Sequence, residues 1–294
     1  MTENSIHTGR DFGRRDYVVT PELVARYCGA VDDHYAIYTG PSPFGGPVAP
    51  ALVKHSEVYD YRDHPKGQPS WYLPNLYGNL HARQEFEFFA PVLVGDAIHT
   101  RSFIADRYVK RGRDYVVNEI LYFDADDRIV MRGRTHQSFL VETNNEGIVV
   151  DKTREKSSER RFDVAVAARV ETLPPLRKQI TDEMCFQFTG PYRNYHNDRE
   201  MAAKLGFPDL VVQGMMTICF LSQMMTERFG AGWISAGKLD VRLVNVVWGR
   251  DALTCGGYIR EITPEGVRSR AHADIWAEKD DGTKVVVGAA SALV

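Results

Sequence analysis

A polar segment from 188 to 198 concentrates side chains of this chain that could move protons. His196 belongs to it, and the ordinary pKa of histidine suits proton transfer at physiological pH. Farther along, Gly214 stands at the start of a long apolar stretch that ends at Gly230. If this stretch is a helix, the Gly214 N–H lies unpaired in its first turn, at the positive end of the helix dipole. A base and a donor to an oxyanion are therefore available. The alternatives are a surface histidine and a glycine needed for close packing.

The length and composition are those of a soluble globular protein. The 294 residues exceed a typical domain of about 100 to 200 residues, so two units are expected. A hydrophobic fraction of 44% with 26% charged residues allows a sizeable core. The net charge of -3 includes no long basic stripe, which argues against a nucleic-acid partner.

The sequence also argues against a membrane partner. No stretch approaches about 18 uncharged apolar residues, and residues 1–15 are polar, so we expect a cytoplasmic protein. The four cysteines are far apart and mostly have apolar neighbours, which predicts buried free thiols. The histidines show no metal-site spacing, so neither a metal nor a dissociable cofactor is expected. Homo-oligomerisation is left open.

The chain repeats itself at a fixed offset. The segments around Asp96 and Asp251 align at an offset of 155 residues (251 minus 96), and each aspartate is followed by alanine. Gly133 and Gly288 align at the same offset. Coincident spacing is harder to obtain by chance than similar composition. The sequence therefore predicts two copies of one structural unit.

Both copies open with a helix signal. Thr20 precedes Pro-Glu and Thr181 precedes Asp-Glu, and each threonine fits an N-cap. In the second half, residues 211–229 are largely apolar up to the Gly230 stop, which predicts a buried helix. The matching first-half stretch begins near Val48 and soon meets prolines at 65 and 69, so a shorter helix is expected there.

Alternating strands follow in each half, as at 84–88 and 239–243. Aspartate-rich turns at 126–127 and 280–282 would join strands into hairpins. A sheet wrapped around one long helix is the hotdog arrangement. The predicted fold class is therefore α+β, a double hotdog with two antiparallel sheets each wrapped round a central helix.

The composition also suggests domain boundaries. Residues 141–180 are rich in charge and contain two successive prolines, which favours a linker. We expect a disordered start over 1–14, an N-terminal hotdog over 15–140, this linker, and a C-terminal hotdog over 181–294.

The second half resembles a known catalytic motif. The segment 188–198, followed by Gln213-Gly214, is similar to the motif of MaoC-like (R)-specific enoyl-CoA hydratases, which runs G-D-x-N-P-I-H and is followed by His-Gly at the central helix. Gly190 matches the family glycine and His196 the family histidine. Pro191 stands where that motif has its catalytic aspartate, so the acid is missing.

The rest of the motif is also incomplete. Arg193 stands in place of the asparagine, and Gln213 in place of the histidine before the glycine. In the first half, Asp33 stands at the spacing of the motif aspartate, and Tyr38 stands where the histidine would be. We expect Asp33 and His196 not to pair, because the two loops would be related by a pseudo-twofold axis and hydrogen-bond reach is only about 3 Å.

The resemblance implies a hydratase or dehydratase acting on a 3-hydroxyacyl or enoyl thioester linked to CoA or a carrier. It implies His196 as the base and the Gly214 amide as the oxyanion donor. Tyr192, Tyr195 and Asp198 are candidates to replace the lost acid. The predicted substrate-binding residues are Asn194, Arg193, Gln213 and Asp198. The acyl site is expected between the two halves, beside this loop and the start of the 211–229 helix.

Two other functions remain open at this stage. A non-catalytic subunit that binds an acyl thioester would explain the incomplete motif. Altered thioester chemistry, such as that of a thioesterase with Tyr192 or Tyr195 recruited, would explain it as well. The sequence does not choose the acyl group or the direction of reaction.

Overall fold

The computed structural model describes residues 6–53, 71–73, 79–140 and 170–294. These residues form eleven strands and five α-helices. The strands are β1 (Asp11–Val18), β2 (Leu80–Phe88), β3 (Ala97–Lys110), β4 (Arg113–Phe123), β5 (Ile129–Leu140), β6 (Glu171–Thr172), β7 (Leu176–Gln179), β8 (Lys238–Leu243), β9 (Ala252–Glu265), β10 (Arg268–Lys279) and β11 (Lys284–Leu293). The helices are α1 (Pro21–Val31), α2 (Asp182–Thr189), α3 (Arg199–Lys204), α4 (Gly214–Phe229) and α5 (Ala231–Ala236).

All the strands pair antiparallel, in the order β1-β3-β4-β5-β2-β8-β11-β10-β9-β6, with β7 also pairing with β9. The two halves meet where β2 pairs with β8, with Gln84 opposite Val241 and Phe86 opposite Leu239. This junction covers an edge strand of each half, which would otherwise present unpaired backbone groups. The predicted fold class is confirmed, and its two sheets are joined edge to edge.

The predicted repeat is visible in two equivalent turns. Asp96 Oδ2 accepts a hydrogen bond from the Leu93 N–H at 2.8 Å, and Asp251 Oδ2 accepts one from the Trp248 N–H at 2.8 Å. Both acceptor–donor pairs obey the offset of 155 residues (251 minus 96 and 248 minus 93). The aspartates thus serve the same purpose in each half, closing the turn that leads into β3 or β9.

The two helix caps are also confirmed. The Thr20 side chain accepts a hydrogen bond from the Leu23 N–H, and the Thr181 side chain accepts one from the Met184 N–H, both at 3.2 Å. The capped helices occupy equivalent positions: α1 directly follows β1 and α2 directly follows β7, and these strands lie at the two ends of the sheet. The two helices then pack against each other across the halves.

Helix α4 is the central helix of the second half. Its residues from Met215 to Thr226 are all buried, as the uncharged sequence predicts. The helix begins at Gly214 rather than at Val211, because Val211 pairs with Trp248 in an isolated β-bridge. It ends where Gly230 adopts a φ of 49°, which glycine tolerates without strain.

Two expected boundaries are wrong. The start predicted to be disordered contains the first residues of β1, and Ile6 is buried in a small apolar cluster. Strand β1 is polar because it is an edge strand, where charges discourage further pairing. The end of the expected linker forms β6 and β7, which pair with β9 and bury Leu173 between them. The first-half helix predicted from Val48 onward falls mostly outside the described residues.

The four cysteines are buried free thiols, as predicted. Burial raises the pKa of Cys28, Cys185 and Cys255 to about 12. A thiol with such a pKa is protonated at neutral pH and is a poor nucleophile. None of the helices in the described part of the chain is long and apolar enough to cross a membrane.

Candidate functional site

The loop that carries His196 is tied to the segment just before α4. His196 Nδ1 lies 2.6 Å from the Val211 carbonyl oxygen, and the Val211 N–H donates to the Tyr195 carbonyl at 3.2 Å. Val211 is followed by only two residues before Gly214 opens the helix. Three extended residues span at most about 10 Å, so the histidine and the helix N-terminus lie within reach of one small acyl group.

The contact with Val211 fixes the protonation of the His196 ring. A carbonyl oxygen can only accept, so Nδ1 carries the hydrogen and Nε2 carries the lone pair. The side chain is buried, and burial lowers the pKa of His196 to about 4, partly opposed by the bond to Val211. The ring is therefore neutral at pH 7. Within the described residues Nε2 has no hydrogen-bond partner, and it is the atom available to take a proton.

The first half contains an equivalent loop. The Val48 N–H donates to the Ile37 carbonyl at 3.0 Å, as the Val211 N–H does to the Tyr195 carbonyl. This match places Tyr38 at the position of His196. It also supports the alignment that places Asp33 opposite Pro191. The Tyr38 hydroxyl donates to Asp33 Oδ2 at 3.1 Å.

Asp33 and Tyr38 lie far from the start of α4. Tyr38 also contacts the side chain of Thr226, which is 12 residues beyond Gly214 (226 minus 214). At 1.5 Å per residue, this is about 18 Å along the helix axis. The separation favours the prediction that Asp33 and His196 do not pair.

Asp33 should make stability depend on pH. Desolvation raises the pKa of this buried carboxyl to about 6, against the lowering effect of the Tyr38 hydroxyl. A raised pKa means that the folded state holds the proton more tightly than the unfolded state. The stability from this group is therefore complete below pH 4 and is lost as pH rises through 6. Its full span is up to about 3 kcal/mol.

We expect Asp33→Asn to remove this dependence. The variant should gain stability relative to the wild type as pH rises from 4 to 7, because it never ionises. Urea unfolding at both pH values measures the difference. Asp106→Asn, at an exposed position of β3, is the control. A stability difference that stays constant between the two pH values would contradict the expectation.

Gly214 lies in the first turn of α4, as predicted, and the N-cap residue Gln213 makes no capping hydrogen bond. A Cβ atom on Gly214 would collide with Leu243 Cδ2. Glycine is therefore needed here for close packing, which is one of the two alternatives from the sequence. Close packing is compatible with the other alternative, because the amide belongs to the first helical turn in either case.

The two tyrosines of the loop differ in position. The Tyr195 ring packs against the His196 ring, with centroids 4.0 Å apart, and against the Phe207 ring, with centroids 5.8 Å apart. Tyr192 is 52% exposed and supplies its backbone carbonyl to loop hydrogen bonds. Of the two, Tyr195 is the one that the structure brings to the histidine.

The predicted substrate-binding residues of the loop make hydrogen bonds and ion pairs mainly with other groups of the same loop. Arg193 pairs with Asp198 at the surface, and Asp198 also caps α3 by accepting from the Met201 N–H at 3.0 Å. Asn194 Oδ1 accepts from the His196 N–H at 2.9 Å. These contacts shape the loop and give no support to a ligand role for Arg193 or Asp198. Gln213 is buried beside Gly214.

A surface groove of about 610 Å³ lies between α1 and α2 and reaches the loop at Pro191. Arg26 crosses it and donates to the carbonyls of Gln187 and Gly190, at 3.0 and 2.8 Å. The groove lies between the two halves, as the acyl site is expected to, but its walls do not include His196 or Gly214. The location of the acyl site stays a prediction.

His81 is a candidate site residue that no sequence pattern indicates. A Cβ atom on Gly214 would lie 3.3 Å from His81 Nδ1, so this ring faces the start of α4. In the sequence it is only a histidine near the start of an alternating strand. The alternation alone would place it on the outer face of the sheet.

No cluster of three or more metal-binding side chains occurs in the described ranges. Comparison with curated proteins returns no match. The family model described as "FAS1-like, dehydratase domain region" matches residues 6–133.

Solved structures give further likenesses. A MaoC-like dehydratase is 18% identical, covers 98% of each chain and has a TM-score of 0.74. A MaoC-like dehydratase from Phytophthora capsici is 14% identical over 100% of this chain and 98% of that chain, with a TM-score of 0.69. A Mycobacterium tuberculosis protein described as having a double hotdog fold is 15% identical over 100% and 98%, with a TM-score of 0.63.

The sheet order and these likenesses define a double-hotdog protein. The predicted resemblance to MaoC-like dehydratases is confirmed at the level of the fold, and the family model adds a likeness to a dehydratase region over residues 6–133.

Proposed function

We propose that this protein is a hydratase or dehydratase acting on a 3-hydroxyacyl or enoyl thioester linked to CoA or a carrier. The observation that carries the proposal is the hydrogen bond between His196 Nδ1 and the Val211 carbonyl. It holds a neutral imidazole, with its Nε2 lone pair available, against Val211, which lies three residues before the first helical residue Gly214. The pairing of a base with an oxyanion donor is what the reaction requires.

Hydration would proceed through an enolate. His196 Nε2 takes a proton from water while the water oxygen bonds to C3 of the enoyl group. The C2=C3 electron pair moves toward the thioester, and the Gly214 N–H donates to the enolate oxygen. The proton on Nε2 then passes to C2, which returns the imidazole to its neutral form. Dehydration is the same sequence reversed.

The assay that tests the proposal uses a panel of enoyl-CoA esters of different chain lengths. Hydration removes the conjugated thioester, so its ultraviolet absorbance should fall with time. With a complementary panel of 3-hydroxyacyl-CoA esters, dehydration forms the conjugated thioester, so this ultraviolet absorbance should rise with time. Binding of these thioesters without any turnover would instead support the alternative of a non-catalytic binding subunit, which the missing acid at Pro191 favours.

Restoring the missing carboxylate should raise turnover. Its expected place follows from the equivalence of the two loops, because Asp33 is within hydrogen-bond distance of Tyr38 and these two align with Pro191 and His196. We expect Pro191→Asp to raise kcat/KM about tenfold or more, since a well-placed acid or base contributes at least 100-fold in favourable cases.

The control for this variant is Pro191→Asn, which removes the same proline and adds a side chain of nearly equal size without the acid. Both variants are measured on the most active enoyl-CoA ester. Equal rates for the two would show that a carboxylate at this position does not reach the reaction.

A further inference from the structure

His81 lies on the inner face of β2 because the strand contains a bulge. Residues 83, 85 and 87 of β2 make ion pairs on the outer face, while 84, 86 and 88 are buried. Simple alternation would place His81 outside. The pairing with β5 shifts by one residue between His81 and Arg83, which lie opposite Gln137 and His136. Such a bulge turns a side chain to the opposite face, and bulges are frequent beside active sites.

A buried polar chain fixes the tautomer of this histidine. Gln84 Oε1 accepts a hydrogen bond from the Thr135 hydroxyl at 2.9 Å and lies 3.0 Å from His81 Nε2. The amide oxygen is an acceptor only, so Nε2 carries the hydrogen and Nδ1 carries the lone pair. Gln84 and Thr135 are buried, which holds this arrangement in place. Burial lowers the pKa of His81 to about 4, so the ring is neutral at pH 7.

The lone pair of His81 faces the first turn of α4. Nδ1 is 3.3 Å from the position that a Cβ atom on Gly214 would take. The Cα–Cβ direction in a helix tilts toward the N-terminus, so this is the side of Gly214 on which the unpaired amides lie. The N-cap residue Gln213 makes no capping hydrogen bond. The Met216 N–H donates to the Gln213 carbonyl at 2.9 Å, which leaves the Gly214 and Met215 amides as the donors at this end of the helix. The start of α4 thus has hydrogen-bond donors from the helix and a neutral acceptor from β2.

We propose that His81 is a second catalytic residue, whose Nδ1 accepts a hydrogen bond from the water that adds to C3. This inference rests on the proposed hydratase function. His196 takes one proton of that water, and His81 orients the other O–H without changing its own protonation. In the dehydration direction the same atom accepts the hydrogen bond of the 3-hydroxyl group. The pair of acceptors would align the water in a loop where Pro191 offers no carboxylate.

The test is His81→Phe, which keeps a ring in the space but has no nitrogen. We expect kcat on an enoyl-CoA ester to fall about 10-fold to 100-fold, with KM changed less than threefold. His81→Asn, which retains a hydrogen-bond acceptor, should recover part of the loss. The matched control is His136→Phe. This histidine lies on the neighbouring strand β5, close to the bulge, but its ring faces outward and bonds to Glu85 at 2.8 Å.

Thermal unfolding of each variant separates catalysis from folding. Loss of kcat in His81→Phe with a wild-type Tm, partial recovery in His81→Asn and no effect in His136→Phe would support the proposal. Wild-type kcat in His81→Phe would overturn it. Equal loss in His81→Phe and His81→Asn with a lowered Tm would assign the residue a structural role and overturn it as well.

A second measurement distinguishes failure of this inference from failure of the proposed function. If the wild type turns over no enoyl or 3-hydroxyacyl thioester, the proposed function fails. The ¹⁵N signal of His81 Nδ1, assigned by its absence in His81→Phe, is then followed while 3-hydroxybutyryl-CoA is added, with CoA as the control. A shift specific to the hydroxyacyl ester supports contact with the 3-hydroxyl group. An unchanged signal overturns the contact and the inference with it.

Discussion

Replacement of His196 by alanine is expected to lower kcat on an enoyl thioester by about 100-fold or more, because it removes the proposed base. KM should change little, since the ring is buried and held by a backbone carbonyl rather than placed to grip the substrate. Stopped-flow or steady-state absorbance assays on the best substrate measure both constants.

The loop itself must survive the change for this result to be interpretable. His196→Gln is the companion variant, because its amide N–H can still donate to the Val211 carbonyl while it supplies no base. It should lose turnover as fully as the alanine variant but keep a Tm closer to the wild type. His272→Ala, at a half-buried histidine of β10 that bonds to Thr263, is the control elsewhere in the sheet. Full turnover in both His196 variants would show that another residue is the base.

Much of the architecture could be predicted because it depends on local signals. The caps at Thr20 and Thr181, the uncharged run that becomes α4 and the short turn sequences that end at Asp96 and Asp251 are each short-range features. Their meaning does not depend on knowing which elements touch. The turns at the two aspartates confirm that a repeated spacing in sequence reflects a repeated hydrogen bond in the fold.

The boundaries were harder to predict, because pairing overrides composition. The polar residues of β1 suit an edge strand as well as a disordered start, and only the partner β3 distinguishes the two. The end of the expected linker is likewise polar, yet it pairs with β9. In both cases the local sequence gives a strand and an irregular segment nearly equal free energy, and tertiary contacts decide between the two.

The candidate site was predictable only where it lies in one motif. The 188–198 loop and Gly214 are close in sequence and follow a recognisable spacing. His81 belongs to a strand more than 130 residues away (214 minus 81), and its inward direction depends on a one-residue shift in pairing with β5. Strand register is set by the whole sheet, so no pattern within β2 could have indicated it.

The largest effect on stability is expected at Trp233, in α5. Its ring is fully buried and meets Phe88 of β2 edge to face, with centroids 5.2 Å apart. Its indole N–H donates to the Ser222 hydroxyl of α4 at 3.0 Å. One side chain therefore ties the central helix of the second half to a strand of the first. Trp233→Ala should reduce the free energy of unfolding by about 3 to 5 kcal/mol, through a large cavity and the lost hydrogen bond.

The manner of unfolding tests whether the two halves form one cooperative unit. Because the Trp233 ring contacts both halves, its loss should lower a single transition rather than separate two of them. Urea unfolding is followed by circular dichroism and by tryptophan fluorescence. For each protein, Trp233→Ala or wild type, the curves from the two probes should coincide. Trp233→Phe, which fills most of the space but cannot donate to Ser222, should cost about 1 to 3 kcal/mol. Two separate transitions in the alanine variant, with only one of them shifted, would show that the halves unfold independently despite the shared sheet.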